Sequence, residues 1–206
     1  MEIACLDLEG VLVPEIWINV AERTGIAALR ATTRDIPDYD ALMKQRLSLL
    51  AQHNLHLSNI QSVIAEMRPL EGALDFLNWL RAHFQVVILS DTFYEFAAPL
   101  MRQLGWPTLL CHQLDVADNC IVGYRLRQSQ PKRHAVHAFQ KLNFRVIAAG
   151  DSYNDIAMLT AADVGILFRP PQSISEEFSQ FPVAMTFDQL EDAFCVASND
   201  KKLISQ

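Results

Sequence analysis

The sequence predicts an α/β protein in which a doubly wound parallel sheet carries a small helical cap inserted after the first strand. Three observations support this prediction. Short apolar segments with β-branched residues recur along the chain, as is typical of strands buried on both faces. Helical patterns separate these segments, and alternating strands and helices form parallel sheets with right-handed crossovers. One stretch near the N-terminus contains helical patterns only and is too long for a plain crossover.

Four segments are predicted as buried strands, at residues 3–6, 86–89, 146–149 and 164–167. A helix is predicted over residues 93–104, because its apolar residues follow the i, i+3, i+4, i+7 spacing of one helix face. Ahead of that helix, Thr92 and Glu95 have the spacing of a capping box.

A second helix is predicted to begin near Pro131, because a proline in the first turn lacks only an N–H that has no partner within the helix. Residues 113–127 alternate apolar and polar side chains around Asp118 and Asn119, a pattern that predicts a β-hairpin.

Residues 15–69 form the predicted cap, and residues 1–14 and 70–206 form the predicted catalytic core. The cap segment is helical in pattern, with breaks near Gly25, Pro37 and Asn54 and no candidate strand. Because it directly follows the first strand, we expect it to cover the edge of the sheet where that strand ends.

Composition and charge exclude several classes of function. The net charge of −7 offers no broad basic surface to nucleic acid or to an anionic membrane. An anionic substrate would therefore need a local cluster of positive charge or a metal. The four cysteines form no CxxC pair, no signal-peptide pattern is present, and no apolar run reaches the roughly 18 residues of a membrane helix. We expect a cytoplasmic protein.

Polar clusters follow three of the predicted strands. The first strand ends in Asp7-Leu8-Glu9-Gly10, the second in Ser90-Asp91-Thr92, and the third in Gly150-Asp151-Ser152-Tyr153-Asn154-Asp155. The helix that begins near Pro131 carries Lys132 in its first turn. Ligands of open α/β sheets bind at the carboxyl ends of the strands, so these clusters predict one compact polar site.

These residue types suit phosphoryl transfer through a covalent intermediate. Asp7, Asp151 and Asp155 offer hard oxygen ligands, which favour Mg²⁺. The metal and Lys132 would remove the repulsion between a carboxylate nucleophile and an anionic phosphate. Ser90 and the amides that follow it can hold phosphate oxygens. Asp7 is then the candidate nucleophile, forming an aspartyl-phosphate, and Glu9 the candidate acid and base.

In their order and their positions at strand ends, these motifs resemble the four motifs of the haloacid dehalogenase superfamily. The helical insertion is similar to the small cap of that superfamily. The opening Asp-Leu-Glu-Gly-Val resembles the branch that contains phosphoserine phosphatase and phosphoserine:homoserine phosphotransferase. The resemblance implies L-phosphoserine as the substrate and water or homoserine as the acceptor.

The resemblance also implies roles for individual residues. Mg²⁺ is expected on Asp7, Glu9, Asp151 and Asp155. Whether Glu9 contacts the metal through its side chain or its main-chain carbonyl stays open. Glu15 is expected to meet the substrate's amino group, and Arg46 its carboxylate. The phosphate end is expected to be lined by Ser90, Asp91, Lys132, Arg133 and Asn154.

One position departs from the superfamily pattern. The usual first motif is Asp-x-Asp, whereas the second acid of this chain is Glu9. The additional methylene moves the acid/base, and a misplacement of about 1 Å can cost about 100-fold in rate. Glu9 therefore either repositions proton transfer or favours an acceptor other than water.

Other functions stay open at this point. A phosphatase for another small metabolite would share the same core and differ in its cap contacts. A phospho-accepting signalling module is disfavoured because Asp7 lies on the first strand and a helical insertion follows it. Intact Asp7, Glu9, Lys132 and Asp151 disfavour a binding protein without catalysis, and Glu9 disfavours dehalogenation. The sequence does not fix the oligomeric state, and a homodimer is among the expectations.

Overall fold

The fold is taken from a computed structural model, which describes residues 1–32, 35–36 and 38–199. The strands in these residues are β1 (Glu2–Leu6), β2 (Gln85–Phe93), β3 (Thr108–Ala117), β4 (Cys120–Arg125), β5 (Arg145–Gly150), β6 (Val164–Phe168) and β7 (Val183–Ala184). The α-helices are α1 (Ile16–Thr24), α2 (Tyr39–Gln52), α3 (Leu57–Glu66), α4 (Ala73–His83), α5 (Tyr94–Gln103), α6 (Pro131–Lys141), α7 (Ile156–Ala161), α8 (Gln172–Glu177) and α9 (Phe187–Ala197).

The strands form one sheet in the order β4-β3-β2-β1-β5-β6-β7. Neighbouring strands are parallel except β3 and β4, which form an antiparallel hairpin. The central strand β1 pairs with β2 on one side and β5 on the other, with Cys5 opposite Val87 and Ala148. The chain thus fills one half of the sheet and then the other, which confirms the predicted doubly wound fold.

Each face of the sheet is covered by helices, and the side chains of β1 alternate between them. Ala4 and Leu6 belong to the apolar cluster formed with α4, α5 and α9. Ile3 and Cys5 belong to the cluster formed with α6 and α7 on the other face. Burial on both faces explains why the parallel strands are uninterrupted apolar runs in the sequence.

The segment between β1 and β2 is helical over its described residues, as predicted. It contains α1, a 3-10 turn at Ala27–Arg30, α2 and α3, and it leads into α4. The predicted breaks near Gly25 and Asn54 fall at the end of α1 and between α2 and α3, and both residues have positive φ. The break expected at Pro37 lies outside the described residues. The division into a cap and a core remains a proposal.

Several contacts join this helical segment to the rest of the fold, and two of them lie near its ends. The Leu70 amide donates a 2.9 Å hydrogen bond to the Leu12 carbonyl, so the segment leaves and rejoins the sheet at neighbouring points. The Trp17 and Phe96 rings meet edge to face at 5.4 Å, within the same apolar cluster that covers the sheet. None of the helices in the described residues is long and apolar enough to cross a membrane.

The structure corrects some of the predicted elements. The hairpin around Asp118 and Asn119 and the helix beginning at Pro131 are confirmed. The capping box of Thr92 and Glu95 is wrong, because β2 continues to Phe93 and that residue precedes α5 without a side-chain cap. The Glu95 carboxylate instead accepts a 2.9 Å hydrogen bond from the Leu114 amide in β3. The first half of β3 and the short β7 were not predicted.

Candidate active site

A cavity of about 310 Å³ opens between the carboxyl ends of β1, β2 and β5 and the helices α1 and α2. From the sheet side it is lined by Asp7, Glu9, Ser90, Asp91, Thr92, Asp151, Ser152, Tyr153 and Asn154. From the helical side it is lined by Glu15, Trp17, Ile18, Thr32, Tyr39, Leu42 and Arg46. Most of the residues singled out in the sequence therefore lie around one cavity.

Lys132 lies beneath the cavity and joins three of the sequence motifs. Its side chain, in the first turn of α6, is only 4% exposed. Its Nζ lies 2.9 Å from Oδ1 of Asp7, 2.7 Å from Oδ1 of Asp155 and 3.5 Å from Oδ2 of Asp91. Burial alone would lower the pKa of Lys132, but the three carboxylates raise that pKa well above its ordinary value. The lysine is a fixed cation.

Asp7, Asp151 and Asp155 form a group whose carboxylate oxygens lie within 4.8 Å of one another. Burial, with the nearby charge of Asp155, raises the pKa of Asp7 well above its usual range and that of Asp151 to about 7. Lys132 is the one cation bonded to this group in the described residues, so negative charge is in excess there. A divalent cation with oxygen ligands relieves that excess, and this donor set suits Mg²⁺.

Asp155 also has a structural task. It is fully buried, and its Oδ2 accepts hydrogen bonds from the amides of Asp151 (2.9 Å) and Ser152 (3.2 Å). Ser152 and Asp155 form the capping box of the 3-10 turn Tyr153–Asp155. A Cβ at Gly150 would come within 2.4 Å of the Asp155 side chain, so only glycine fits there. Its role as a metal ligand remains a prediction.

Glu9 faces the cavity from the turn after β1. One carboxylate oxygen accepts a 2.8 Å hydrogen bond from the Ile16 amide at the start of α1. Burial, together with the charge of Glu15, raises the pKa of Glu9 to about 8, so its carboxyl holds a proton near neutral pH. Its carboxylate is outside the group formed by Asp7, Asp151 and Asp155. A ligand role for Glu9 therefore remains a prediction for its main-chain carbonyl.

The side of the cavity where a phosphate is expected is built from β2 and the loop after β5. The Ser90 hydroxyl is buried and accepts a 3.2 Å hydrogen bond from the Thr92 amide. The Asn154 side chain donates a 2.9 Å hydrogen bond to Asp91. Burial alone would raise the pKa of Asp91, but Lys132 and the Asn154 hydrogen bond lower it below its usual range. Asp91 is therefore anionic and holds Lys132 and Asn154 in place.

Arg46 lies in the opposite wall and is 7% exposed. Its guanidinium covers the Trp17 ring at 4.5 Å, and Nη2 donates a 2.9 Å hydrogen bond to the Ala31 carbonyl. Its Nε has no hydrogen-bond partner among the described residues. Burial lowers the pKa of Arg46 to about 10, so the side chain is still a cation at neutral pH. A buried donor without a partner suits an anionic ligand.

Arg133 does not reach the cavity. It is exposed and donates a 3.1 Å hydrogen bond to Gln130. Successive residues of an α-helix point roughly 100° apart, so Arg133 cannot share the direction of the buried Lys132. The expectation that Arg133 lines the phosphate end is not met.

Several lining residues were missed in the sequence. Trp17, Tyr39 and Leu42 lie on helices whose apolar spacing looks like ordinary packing, so no motif marked them. Tyr153 lies inside the third polar cluster, and this position is the one feature of the sequence that could have marked it as a lining residue. Behind the lining, and also missed, His112 is buried with its Nε2 3.7 Å from Asp91, while its Nδ1 accepts a 3.1 Å hydrogen bond from the Arg127 amide.

Comparisons with known proteins give consistent family matches. The family model of haloacid dehalogenase-like hydrolases matches residues 10–160. Phosphoserine phosphatase ThrH of Pseudomonas aeruginosa is 64% identical over 200 residues, covering 97% of this chain and 98% of that protein. A phosphoserine phosphatase of Pseudomonas syringae pv. tomato is 65% identical over 201 residues, covering 97% of this chain and 84% of that protein.

Solved structures show the same fold. A substrate-bound phosphoserine phosphatase complex has a TM-score of 0.76 at 18% identity, covering 94% of this chain and 97% of that one. A phospho-aspartyl intermediate analogue of phosphoserine phosphatase has a TM-score of 0.73 at 19% identity, covering 88% and 91%. At these identities the likeness concerns the fold alone.

Proposed function

The chain belongs to the haloacid dehalogenase-like hydrolase family, and from this premise we propose that it is a magnesium-dependent phosphoserine phosphatase that works through an aspartyl-phosphate on Asp7. One observation carries the proposal. A single cavity places the acidic cluster with Lys132 opposite a buried arginine. The relatives named phosphoserine phosphatase, at 64% and 65% identity over nearly the whole chain, support the same substrate.

The two walls of the cavity match the groups of L-phosphoserine. The phosphate fits beside Asp7, with Ser90 and Asn154 as donors to its oxygens. The carboxylate fits against Arg46, whose Nε lacks a partner among the described residues. The amino group fits Glu15, which lies on the same wall at the start of α1.

Magnesium fits the oxygen donors of Asp7 and Asp151, with Asp155 beside them. When bound, it would offset charge on the phosphate oxygens and on the carboxylates. The haloacid dehalogenase family resemblance and the excess of negative charge both support this cofactor. Asp155 then serves mainly to hold Lys132 and the loop after β5 in position.

The chain's own residues account for the chemical steps. The Asp7 carboxylate attacks phosphorus while Lys132, 2.9 Å away, holds the attacking group in place. Glu9, protonated near neutral pH, gives its proton to the departing serine alkoxide. Glu9 then takes a proton from the incoming hydroxyl, which attacks the phosphorus and restores Asp7. The helical wall with Tyr39 and Trp17 limits the access of bulk water.

The acceptor in the second step is water or homoserine. Transfer to homoserine is supported by the opening motif with Glu9, whose longer side chain suits an acceptor other than water. A second candidate function, a phosphatase for another small metabolite, would keep Asp7 and Lys132 but have no carboxylate for Arg46. The buried guanidinium favours the phosphoserine assignment over it.

Phosphate release from L-phosphoserine with Mg²⁺, with and without homoserine, tests the proposal. We expect metal-dependent release that the Asp7→Asn variant loses, with homoserine diverting the phosphoryl group into phosphohomoserine. Release without diversion would leave a phosphatase and remove the transferase. Turnover of other phosphomonoesters without turnover of phosphoserine would contradict the substrate assignment.

Two more expectations belong to this proposal. A cytoplasmic location suits the four cysteines, all of which are free thiols. A homodimer is the expected assembly, and light scattering on the purified protein would decide it.

A further inference from the structure

The β3–β4 hairpin contacts the helical segment as well as the sheet. It extends the sheet at its edge, and its turn is made by Asp118 and Asn119, both with positive φ (48° and 64°). Such a turn gives the hairpin a fixed direction. The turn reaches the first residues of α3, in the helical segment that forms the far wall of the cavity.

Asn119 caps α3 from a distance of 61 residues along the chain. Its carbonyl accepts a 2.8 Å hydrogen bond from the Leu57 amide, and its Oδ1 accepts a 3.1 Å hydrogen bond from the Ser58 amide. Its Nδ2 donates a 2.7 Å hydrogen bond to the Ser58 hydroxyl. The first amides of a helix have no partner within the helix, so Asn119 satisfies donors that would otherwise be open to water.

The other end of β4 holds α2. The Tyr124 hydroxyl donates a hydrogen bond to Asp40, in the first turn of α2. The Tyr124 ring meets the Tyr39 ring edge to face at 6.0 Å. The hairpin therefore contacts both helices that are joined by the turn at residues 53–56, one at each end of its second strand.

These contacts affect substrate binding, because α2 forms part of the cavity wall. Tyr39, Leu42 and Arg46 line the cavity from α2. The groups at the phosphate end, such as Asp7 and Ser90, lie on the sheet and make no use of the hairpin tip. A loosened hairpin tip would shift Arg46 and its neighbours and leave the phosphate chemistry in place.

We propose that Asn119 is a positioning residue for substrate recognition, because it fixes α3 to the hairpin tip and thereby anchors the cavity-lining helix α2, which a short turn joins to α3. Its juxtaposition with Leu57 and Ser58 carries the inference. The assignment of the wall to the carboxylate of phosphoserine rests on the proposed function. The contact itself does not, since it follows from the hydrogen bonds alone.

The test compares Asn119→Gly with the neighbouring Asp118→Gly. Glycine adopts the positive φ of either position, and the Asp118 side chain makes no hydrogen bond to any described residue. We expect Asn119→Gly to lower kcat/KM for L-phosphoserine about tenfold, mainly through KM, the effect of one or two net hydrogen bonds. Turnover of p-nitrophenyl phosphate, which has neither amino group nor carboxylate, should change less than about twofold. Asp118→Gly should match the wild type.

A second readout does not depend on the substrate. Hydrogen exchange at the Ser58 amide should be about tenfold faster in Asn119→Gly than in Asp118→Gly, because its acceptor is lost. Asn119→Asp should restore both exchange protection and KM, since its carboxylate accepts from Ser58 and suits a helix N-terminus. Unchanged exchange, or equal losses for both substrates, would overturn the proposal. Failure of the wild type to hydrolyse phosphoserine would instead overturn the proposed function.

Discussion

At the scale of single residues, Glu9 is the proposed acid and base of the reaction. The superfamily pattern has an aspartate at this position. The longer glutamate of this chain reaches the Ile16 amide at the start of α1. That hydrogen bond fixes the carboxyl in one place, and burial, opposed in part by the hydrogen bond, raises its pKa to about 8. A buried acid with a pKa near neutrality suits both giving and taking a proton.

The Glu9→Gln variant tests this role. Its hydrolysis of L-phosphoserine should fall roughly 10²- to 10⁴-fold, because the serine alkoxide leaves without a proton. With p-nitrophenyl phosphate the leaving group needs no proton, so one equivalent of nitrophenol should appear as a burst before slow turnover. Rapid-quench measurement of the burst shows whether the phosphorylation step survives in this variant. A burst lost together with turnover would show that Glu9 acts on something other than proton transfer.

Arg46 is the residue expected to select the substrate. The Arg46→Ala variant should lose about 1.5–3 kcal/mol of transition-state binding for L-phosphoserine, or roughly 10- to 150-fold in kcat/KM. O-phosphoethanolamine lacks the carboxylate, so its kcat/KM should change within about threefold. Steady-state kinetics with both substrates, on the same preparation, gives the comparison. Equal losses would mean that Arg46 only supports Trp17 and Ala31.

At the scale of elements, the turns after the strands hold the acidic cluster together. Gly10 has a φ of 78°, and a Cβ there would come within 2.5 Å of the Asp151 carboxyl. The turns after β1 and β5 are therefore packed directly against each other, at the point where the metal is expected. Gly25 has a similar φ of 72°, but nothing lies within 4 Å of its Cβ position.

The pair Gly10→Ala and Gly25→Ala separates backbone strain from contact. Both should lose about 1–2 kcal/mol of stability from the left-handed backbone conformation. Only Gly10→Ala displaces Asp151, so its Mg²⁺ concentration for half-maximal activity should rise about 10- to 100-fold. Metal titration of activity and urea unfolding measure the two effects. An unchanged metal requirement in Gly10→Ala would remove Asp151 from the metal site.

The burial of each element decides how well it could be predicted from the sequence. The central strands could be predicted because both of their faces are buried and apolar. The first half of β3 and the two-residue β7 lie toward the edges, where partial exposure breaks the pattern. Asp7 and Asp151 could be placed in one site from the sequence, because each follows a parallel strand and the carboxyl ends of parallel strands share one edge of the sheet. Lys132 and Arg133 are adjacent cations, and only burial in the folded chain separates their roles.

For the whole molecule, the helical segment and the sheet share one apolar cluster. Trp17, Ile60 and Ile64 from the segment pack in the same cluster as Phe96 of α5. Polar contacts add to this at the Gln61 side chain, which donates a 2.8 Å hydrogen bond to the Glu95 carbonyl. This packing favours a wall that stays attached during catalysis, with small adjustments at the cavity.

Unfolding measurements test that continuity. In a variant with Trp79→Phe and Trp106→Phe, Trp17 alone reports on the helical segment, and in one with Trp17→Phe and Trp106→Phe, Trp79 reports on α4. Urea unfolding should give the same midpoint for both reporters and for circular dichroism, as expected of one cooperative unit. A lower midpoint for Trp17 than for Trp79 would show that the segment unfolds separately.

The central claim is that Asp7 carries the phosphoryl group, and trapping the intermediate tests it most directly. The enzyme is mixed with Mg²⁺ and L-phosphoserine, quenched in acid and reduced with borohydride, which converts an acyl phosphate to an alcohol. Mass spectrometry of the peptides should then locate the reduced residue at position 7, and the Asp7→Asn variant should show none. Steady turnover without reduction at Asp7, or with reduction at another carboxylate such as Asp151, would contradict the account.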